Sequence, residues 1–172
     1  MKNIVLIGMP GVGKSTVGVL LAKALGFSFV DTDLIIQRNT GRLLQDIIDN
    51  DGLDAFCAEE ERAICSVTAE HGAVIATGGS AVYSENAMLH LKKHGVVYYL
   101  SLPVEELIGR LSNITTRGIA KRPEDTIEDV FRRRAELYEQ YADITIDCIG
   151  SSAEQTVAKI CEQFRKEGYN GL

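Results

Sequence analysis

Short apolar runs alternate with longer segments of helical periodicity along the whole chain. The runs are nearly all hydrophobic, as strands buried on both faces are, and they predict strands at 4–7, 28–30, 73–76, 96–100 and 144–146. Apolar residues spaced three or four apart predict helices at 14–25, 33–39, 43–49, 52–70, 84–93, 103–111, 126–141 and 152–166. Strands that alternate with helices form crossover units. The pattern therefore predicts an α/β fold in which helices cover both faces of a parallel sheet.

The length and composition fit one domain that spans residues 1–172. The chain is 45% hydrophobic and 24% charged, without an internal repeat or a low-complexity linker. This length is enough for one core and short of what two domains usually need. The formal net charge of −6 argues against a general binder of nucleic acids or membrane surfaces, because both partners call for an excess of Lys and Arg.

The sequence also indicates a cytoplasmic protein. No apolar stretch approaches the roughly 20 residues of a membrane span, and the N-terminus runs directly into a strand pattern without a secretory segment. The four cysteines form no C-x-x-C pair, so reduced thiols are expected. His90 and His94 have the spacing of a metal pair, but no cluster of further ligands accompanies them, which favours a solvated helix end.

The first candidate site is a glycine-rich turn after the first predicted strand. Residues 8–16 read GMPGVGKST and match the phosphate-loop pattern G-x-x-x-x-G-K-[ST] in full. The lysine of this pattern brings a charge to the β- and γ-phosphates, and the serine that follows offers its hydroxyl to Mg²⁺. The alternative is a plain glycine-rich turn, and the strand-to-helix context favours a nucleotide site instead. Its predicted residues are Gly11, Val12, Gly13, Lys14, Ser15 and Thr16.

Two carboxylates follow the second predicted strand, in Asp31-Thr32-Asp33. Ligands bind at the carboxyl ends of the strands in open α/β sheets. One aspartate can reach the Mg²⁺ shell while the other meets an acceptor hydroxyl as an orienting group or base. The alternative is that an aspartate simply caps the helix that begins here, and we expect Asp33 to take part in this capping.

The third predicted strand ends in Thr77-Gly78-Gly79-Ser80. Two glycines at a strand end let a ligand approach the main chain, and Thr77 can add a hydroxyl to the Mg²⁺ water shell. A Gly-Gly turn alone is weak evidence for a site.

A polar segment at about 112–125 interrupts the pattern. It reads SNITTRGIAKRPED and carries Arg117, Lys121 and Arg122. In a phosphate-loop protein, a basic insert late in the chain is typical of a mobile lid that closes over the triphosphate. The alternative is an ordinary solvated loop.

These motifs together resemble the shikimate kinase family, in order and over nearly the whole chain. Besides the phosphate loop and the paired aspartates, the matching segments are Thr-Gly-Arg at 40–42, Asp-Gly at 51–52 with Phe56 and Glu60, Gly-Gly at 78–79, Asn-x-Thr-x-Arg at 113–117 and Arg-Ala-Glu-Leu-Tyr at 134–138. The resemblance implies a three-layer fold with a five-stranded parallel sheet of order 2-3-1-4-5. It also implies transfer of the γ-phosphoryl of ATP to a ring hydroxyl of shikimate with Mg²⁺. We expect a monomer whose partners are ATP and a small hydroxylated acid.

On the nucleotide side, the resemblance makes Lys14 and Arg117 stabilisers of the transferred charge. It makes Ser15 a direct Mg²⁺ ligand with Asp31 close behind it. Arg110 matches an arginine that lies against adenine, a use suited to a planar guanidinium. A surface arginine on a helix is the alternative for this residue.

On the acceptor side, the resemblance points to helices at about 33–62 and to the turn at Gly78 and Gly79. Asp33 corresponds to the residue that touches the acceptor hydroxyl. The main chain at Gly79 corresponds to one that contacts the acceptor, and Arg134 corresponds to the residue that binds the carboxylate of the acceptor.

The chain departs from the family pattern around Cys57. The family has an arginine there, a second clamp on the shikimate carboxylate, and Glu60 matches the residue that orients that arginine. Ser80 replaces a third glycine, and the lid reads Arg-Gly-Ile at 117–119 rather than Arg-Pro-Leu. We predict that Cys57 and Glu60 both belong to the acceptor site. A glutamate without its arginine favours an acceptor that brings its own cation.

Three functions follow from these residues. The first is a kinase with shikimate as the acceptor. The second is a homologous kinase with a changed acceptor, such as homoserine or another hydroxylated acid. The third is a nucleotide-binding regulatory module without activity, against which the intact Lys14, Ser15, Asp31 and Asp33 argue, since a non-enzyme needs no carboxylate on the acceptor side.

Overall fold

A computed structural model describes residues 2–68, 72–111 and 119–168. Its strands are β1 (Asn3–Ile7), β2 (Ser28–Asp31), β3 (Ala73–Ala76), β4 (Gly95–Ser101) and β5 (Ile144–Asp147). Its helices are α1 (Lys14–Leu25), α2 (Thr32–Thr40), α3 (Leu44–Cys65), α4 (Glu85–His94), α5 (Val104–Leu111), α6 (Ile127–Tyr141) and α7 (Ala153–Lys166), with a short 3₁₀ helix at Ala81–Tyr83.

The five strands form one parallel sheet in the order β2-β3-β1-β4-β5. This confirms both the five predicted strands and the predicted order. Consecutive residues of a strand face opposite sides of the sheet, yet Ile4, Val5, Leu6 and Ile7 of the central strand are all fully buried. Helices therefore cover both faces, as the three-layer prediction requires.

The register of the sheet brings three strand ends to one edge. Ala76 of β3 is level with Leu6 of β1 on one side and with Asp31 of β2 on the other. The segments that follow these strands are the phosphate loop, the start of α2 and the turn at 77–80. The sheet thus gathers the three candidate motifs at the carboxyl ends of its strands, where α/β sheets bind ligands.

The helices differ from prediction mainly around Gly52. The predicted helices 43–49 and 52–70 lie in a single segment, α3, that is broken at Gly52 with φ 85° and ψ 173°, a conformation open essentially to glycine alone. The prediction that this segment extends to residue 70 is wrong, because α3 ends at Cys65. The Ser66 hydroxyl donates a hydrogen bond to the Ala63 carbonyl, 2.7 Å away, at this end.

Residues 112–118 of the predicted lid lie outside the described part of the chain. Its second half connects directly to α6, because Asp125 forms an ion pair with Arg133 of that helix. The Lys121 ammonium donates a hydrogen bond to the Asp125 carbonyl at 3.1 Å. Among the described helices, none combines the length and the apolar character needed to cross a bilayer.

Candidate active site

The phosphate loop occupies the turn between β1 and α1. Gly8 and Gly13 have φ values of 143° and 103°, which residues with a Cβ rarely adopt. A Cβ on Gly8 would also come within 2.7 Å of the Leu100 carbonyl oxygen. Gly13 precedes α1 without contributing a side-chain cap. The first-turn amides and the positive end of the helix are therefore suited to a phosphate group.

Lys14 is the first residue of α1 and reaches back across the loop. It is only 8% exposed, and its Nζ donates hydrogen bonds to the carbonyl oxygens of Gly8 at 2.7 Å and Met9 at 2.9 Å. These contacts hold a compact positive charge inside the loop before any ligand arrives. A charge positioned in advance stabilises developing negative charge most effectively, because little reorganisation is needed.

Asp31 connects the phosphate loop to α2. Its Oδ2 accepts a hydrogen bond from the Ser15 hydroxyl at 2.8 Å, and its Oδ1 accepts one from the Asp33 amide at 3.0 Å. The second bond caps the N-terminus of α2. The capping residue is therefore Asp31 rather than the expected Asp33, and Asp31 combines this role with its place beside Ser15. Asp33 follows in the first turn of the same helix.

One cavity of about 260 Å³ lies where these segments meet. Its walls come from the phosphate loop and the start of α1, from α2, from the α2–α3 connection and from the turn after β3. Three residues of α3, Ala120 and one residue of α6 complete them. The predicted site residues that line it are Gly11, Gly13, Lys14, Ser15, Asp31, Asp33, Gly78, Gly79 and Arg134.

Arg134 of α6 is fully buried and lines this cavity. Its Nε donates a hydrogen bond to the Tyr83 hydroxyl at 3.2 Å, one terminal nitrogen donates to the Ala120 carbonyl, and the guanidinium lies 5.2 Å from the centre of the Tyr83 ring. The other terminal nitrogen, Nη1, has no hydrogen-bond partner among the described residues. A Cβ on Gly79 would be 2.8 Å from Nη1. A buried cation with an unused donor beside a cavity is prepared for an anion.

Tyr83 and Tyr138 support the site but are not among the predicted site residues. The Tyr138 hydroxyl donates a hydrogen bond to the Gly79 carbonyl at 2.6 Å, and its ring stacks on Tyr99 at a centroid distance of 5.0 Å. Burial raises the pKa of Tyr138 well above its ordinary value. Tyr138 is four residues from Arg134, a spacing that places both on one face of α6. This spacing is the sequence signal that points to Tyr138 as part of the site. Tyr83 carries no comparable signal.

Glu60 and Cys57 do not line the cavity. Glu60 of α3 is 2% exposed and lies behind the turn after β3, where the Ser80 hydroxyl donates a hydrogen bond to its Oε2 at 2.5 Å. Burial raises the pKa of Glu60 to about 7, against a lowering effect of the bond from Ser80. Cys57 is half-buried beside the small apolar cluster around Phe56. Burial, with the nearby Glu60, raises the pKa of the Cys57 thiol to about 11, so it is neutral at physiological pH.

The other predicted nucleotide residues in the described part of the chain, Val12, Thr16 and Arg110, do not line the cavity. The Arg110 guanidinium, at the end of α5, donates a hydrogen bond to the Val12 carbonyl at 3.4 Å. Thr16 is exposed on α1. Arg117 lies outside the described residues.

The two ends of the cavity make different chemical demands on a ligand. One end offers loop amides and a fixed ammonium to phosphates, and the other offers a buried guanidinium to a small anion, with Asp33 lining the wall. A cavity that takes a phosphate donor and a small acceptor together is what phosphoryl transfer between them requires. Fold and site define a phosphate-loop kinase that uses ATP to phosphorylate a small molecule.

Comparison with known proteins identifies the family. The family model described as shikimate kinase matches residues 10–165. A shikimate kinase of Thermodesulfovibrio yellowstonii is 39% identical over 168 residues, 96% of each chain, and one of Haemophilus influenzae is 37% identical over 174 residues, 99% of this chain and 96% of the relative. The structure of an Acinetobacter baumannii shikimate kinase in complex with shikimate matches with a TM-score of 0.84 and 32% identity, covering 99% of this chain and 96% of that one. The chain belongs to the shikimate kinase family.

Proposed function

We propose that this kinase transfers the γ-phosphoryl group of ATP to a hydroxyl of shikimate, forming shikimate 3-phosphate. The observation that carries the choice of acceptor is Arg134, fully buried, with Nη1 unpartnered among the described residues, at the cavity wall. Shikimate combines one carboxylate with ring hydroxyls, so Arg134 can hold the carboxylate while a hydroxyl faces the other end of the cavity. Binding of shikimate by the A. baumannii relative supports the same acceptor.

Lys14 and the loop amides act on the phosphoryl group. Phosphoryl transfer depends on positioning and on neutralising charge far more than on covalent chemistry of the protein. The ammonium held against the Gly8 and Met9 carbonyls supplies that charge at a fixed place. We assign Arg110 to the nucleotide side, on the basis of its contact with the loop, and Arg117 to the transferred phosphoryl on its sequence position.

Asp33 acts on the acceptor hydroxyl in this proposal. It lines the cavity, and its backbone N–H donates a hydrogen bond to Asp31 that holds it in place. A carboxylate in this position orients the attacking hydroxyl and accepts its proton as the new P–O bond forms.

The chemistry of Ser15 and Asp31 fits Mg²⁺. A hydroxyl and a carboxylate oxygen lie 2.8 Å apart beside the phosphate loop, and Mg²⁺ prefers such hard oxygen donors. In this proposal Ser15 would hold the ion, and Asp31 would support the site through its hydrogen bond with Ser15. When bound, the ion neutralises charge on the β- and γ-phosphates.

The other assignments follow from the same residues. In this proposal the protein is a monomer that acts on two small molecules, ATP and shikimate. The four free thiols support a reducing, cytoplasmic setting.

An acceptor panel tests the proposal. ADP release from ATP and Mg²⁺ should depend on the added acceptor, with shikimate saturating well below millimolar concentration and homoserine giving little stimulation. Other hydroxylated acids and amino acids complete the panel. Stimulation by homoserine but not by shikimate would contradict the proposal and would favour the kinase with a changed acceptor.

Arg134→Lys should raise the KM for shikimate by about tenfold or more and leave the KM for ATP nearly unchanged. Lysine keeps the charge but loses the planar fork that binds a carboxylate through two parallel bonds. Steady-state kinetics with each substrate varied in turn measures both values. Arg132→Lys, on the exposed face of the same helix, is the matched control and should change neither. A raised KM for ATP instead would show that Arg134 acts on the nucleotide rather than on the acceptor.

A further inference from the structure

Glu60 is a buried carboxyl group without an ion-pair partner in the described part of the chain. Its Oε2 accepts one hydrogen bond, from Ser80, and its Oε1 has no hydrogen-bond partner there. Burying a charged carboxylate without a paired cation costs far more than burying the neutral acid. The environment therefore favours the protonated form.

This carboxyl group packs closely against the main chain of Gly78, a residue that lines the cavity. A Cβ on Gly78 would be 2.1 Å from Oε1 of Glu60 and 3.0 Å from Oδ1 of Asp33. Two acidic side chains thus approach the same backbone carbon, and both Gly78 and Asp33 line the cavity. Ionisation of Glu60 adds a second negative charge at the place where an acidic acceptor binds.

The charged and titratable groups around Glu60 come from several elements. Asp33 of α2 disfavours its ionisation, whereas Arg134 of α6 and Lys14 of α1 favour it. The Cys57 thiol, on the same helix, stays neutral in this pH range because its own pKa lies near 11, so it adds no charge beside Glu60. Burial outweighs the other effects and raises the pKa of Glu60 to about 7, so the group gains and loses its proton across the neutral range.

We propose that Glu60, held by Ser80, sets acceptor specificity by being protonated whenever an acceptor carboxylate binds near Arg134. The inference rests on the proposed function, since it concerns the acceptor that Arg134 holds. Glu60 does not touch the acceptor in this scheme. It acts through the wall at Gly78 by removing or adding a negative charge.

The sign of the pH effect follows directly. Below about pH 7, Glu60 is neutral and the acceptor carboxylate meets Arg134 without an opposing charge. Above it, Glu60 must take up a proton before the acceptor binds, and affinity falls. If the ionised form does not bind, the Kd for shikimate should rise about tenfold from about pH 6 to about pH 8. An acceptor that carries an ammonium group should show the opposite trend.

Isothermal titration calorimetry of shikimate into the full chain, with ADP and Mg²⁺ present, tests this proposal without relying on activity. Titrations across that pH range in buffers of different ionisation enthalpy give both the Kd and the number of protons taken up. Wild-type protein should show the rise in Kd and uptake of close to one proton at about pH 8. Glu60→Gln should show a constant Kd and no uptake. Glu59→Gln, one residue away on the same helix, is the matched control and should behave as wild type.

Two further variants separate this role from a structural one. Ser80→Ala removes the bond that favours ionised Glu60 and should move the pH transition upward, whereas mere loss of packing would lower Tm and leave the transition in place. Cys57→Arg places a cation beside Glu60 and should give a Kd for shikimate that is low and independent of pH.

The outcomes also separate this inference from the proposed function. A pH-independent Kd in wild-type protein that still phosphorylates shikimate would overturn the protonation of Glu60 and leave the function intact. No binding of shikimate at any pH, together with homoserine binding that tightens as pH rises, would overturn both.

Discussion

Lys14→Ala should lower kcat by about a thousandfold or more and leave the fold unchanged. The ammonium is fixed by the Gly8 and Met9 carbonyls and is 8% exposed, so no mobile solvent cation reproduces its position. Lys14→Arg should also be poorly active, because the two carbonyl contacts fit a compact ammonium rather than a planar guanidinium. Single-turnover kinetics of shikimate phosphorylation measures the loss, and far-ultraviolet circular dichroism checks the fold.

Lys23→Ala is the matched control for this prediction. Lys23 lies on the exposed face in the last turn of the same helix, so kcat should stay at the wild-type value. Near-normal turnover by Lys14→Ala would contradict a role of the phosphate loop in catalysis.

Asp33→Asn should lower kcat by about a hundredfold or more, with little change in the KM for ATP. The amide is nearly the same size and leaves the backbone bond to Asp31 in place, but it cannot accept the proton of the acceptor hydroxyl. Asp49→Asn, at an exposed position of α3, should have no effect.

An Asp33→Asn enzyme that keeps its kcat but loses affinity for shikimate would show that Asp33 only binds the acceptor. In that case the hydroxyl proton would leave by another route.

The sequence predicted the sheet well because the relevant signals are local. Each strand is a short apolar run, and the strand order follows from the family resemblance that the motifs carry. The phosphate loop, the paired aspartates and the Gly-Gly turn each follow a strand directly. Once Leu6, Asp31 and Ala76 align in register, these motifs must meet at one edge.

The surroundings of Arg134 could not be predicted in the same way. Its partners Tyr83 and Ala120 are 51 and 14 residues away along the chain, and packing alone decides that they meet. The break in α3 is a similar case, because helical periodicity does not reveal the φ of 85° at Gly52.

Glu60 shows how packing can change the role that the sequence predicts for a residue. Sequence resemblance makes it an unpaired acid in the acceptor site that favours a cationic substrate. In the structure it is buried behind Gly78 and bonded to Ser80. Two departures from the family pattern that look separate in the sequence, at residues 57 and 80, thus lie near one carboxyl group. The neutral Cys57 thiol supplies no cation to pair with Glu60, and the raised pKa of Glu60 comes from its burial, against the lowering effect of the bond from Ser80.

The identity of the product tests the proposed phosphorylation of shikimate most directly. Wild-type protein should be incubated with ATP, Mg²⁺ and shikimate, and the mixture analysed by phosphorus NMR and mass spectrometry. The expected product is one phosphate monoester, shikimate 3-phosphate, formed in equal amount with ADP. ADP that forms without a shikimate phosphate, or no reaction under conditions where another hydroxylated acceptor is phosphorylated, would contradict transfer to shikimate.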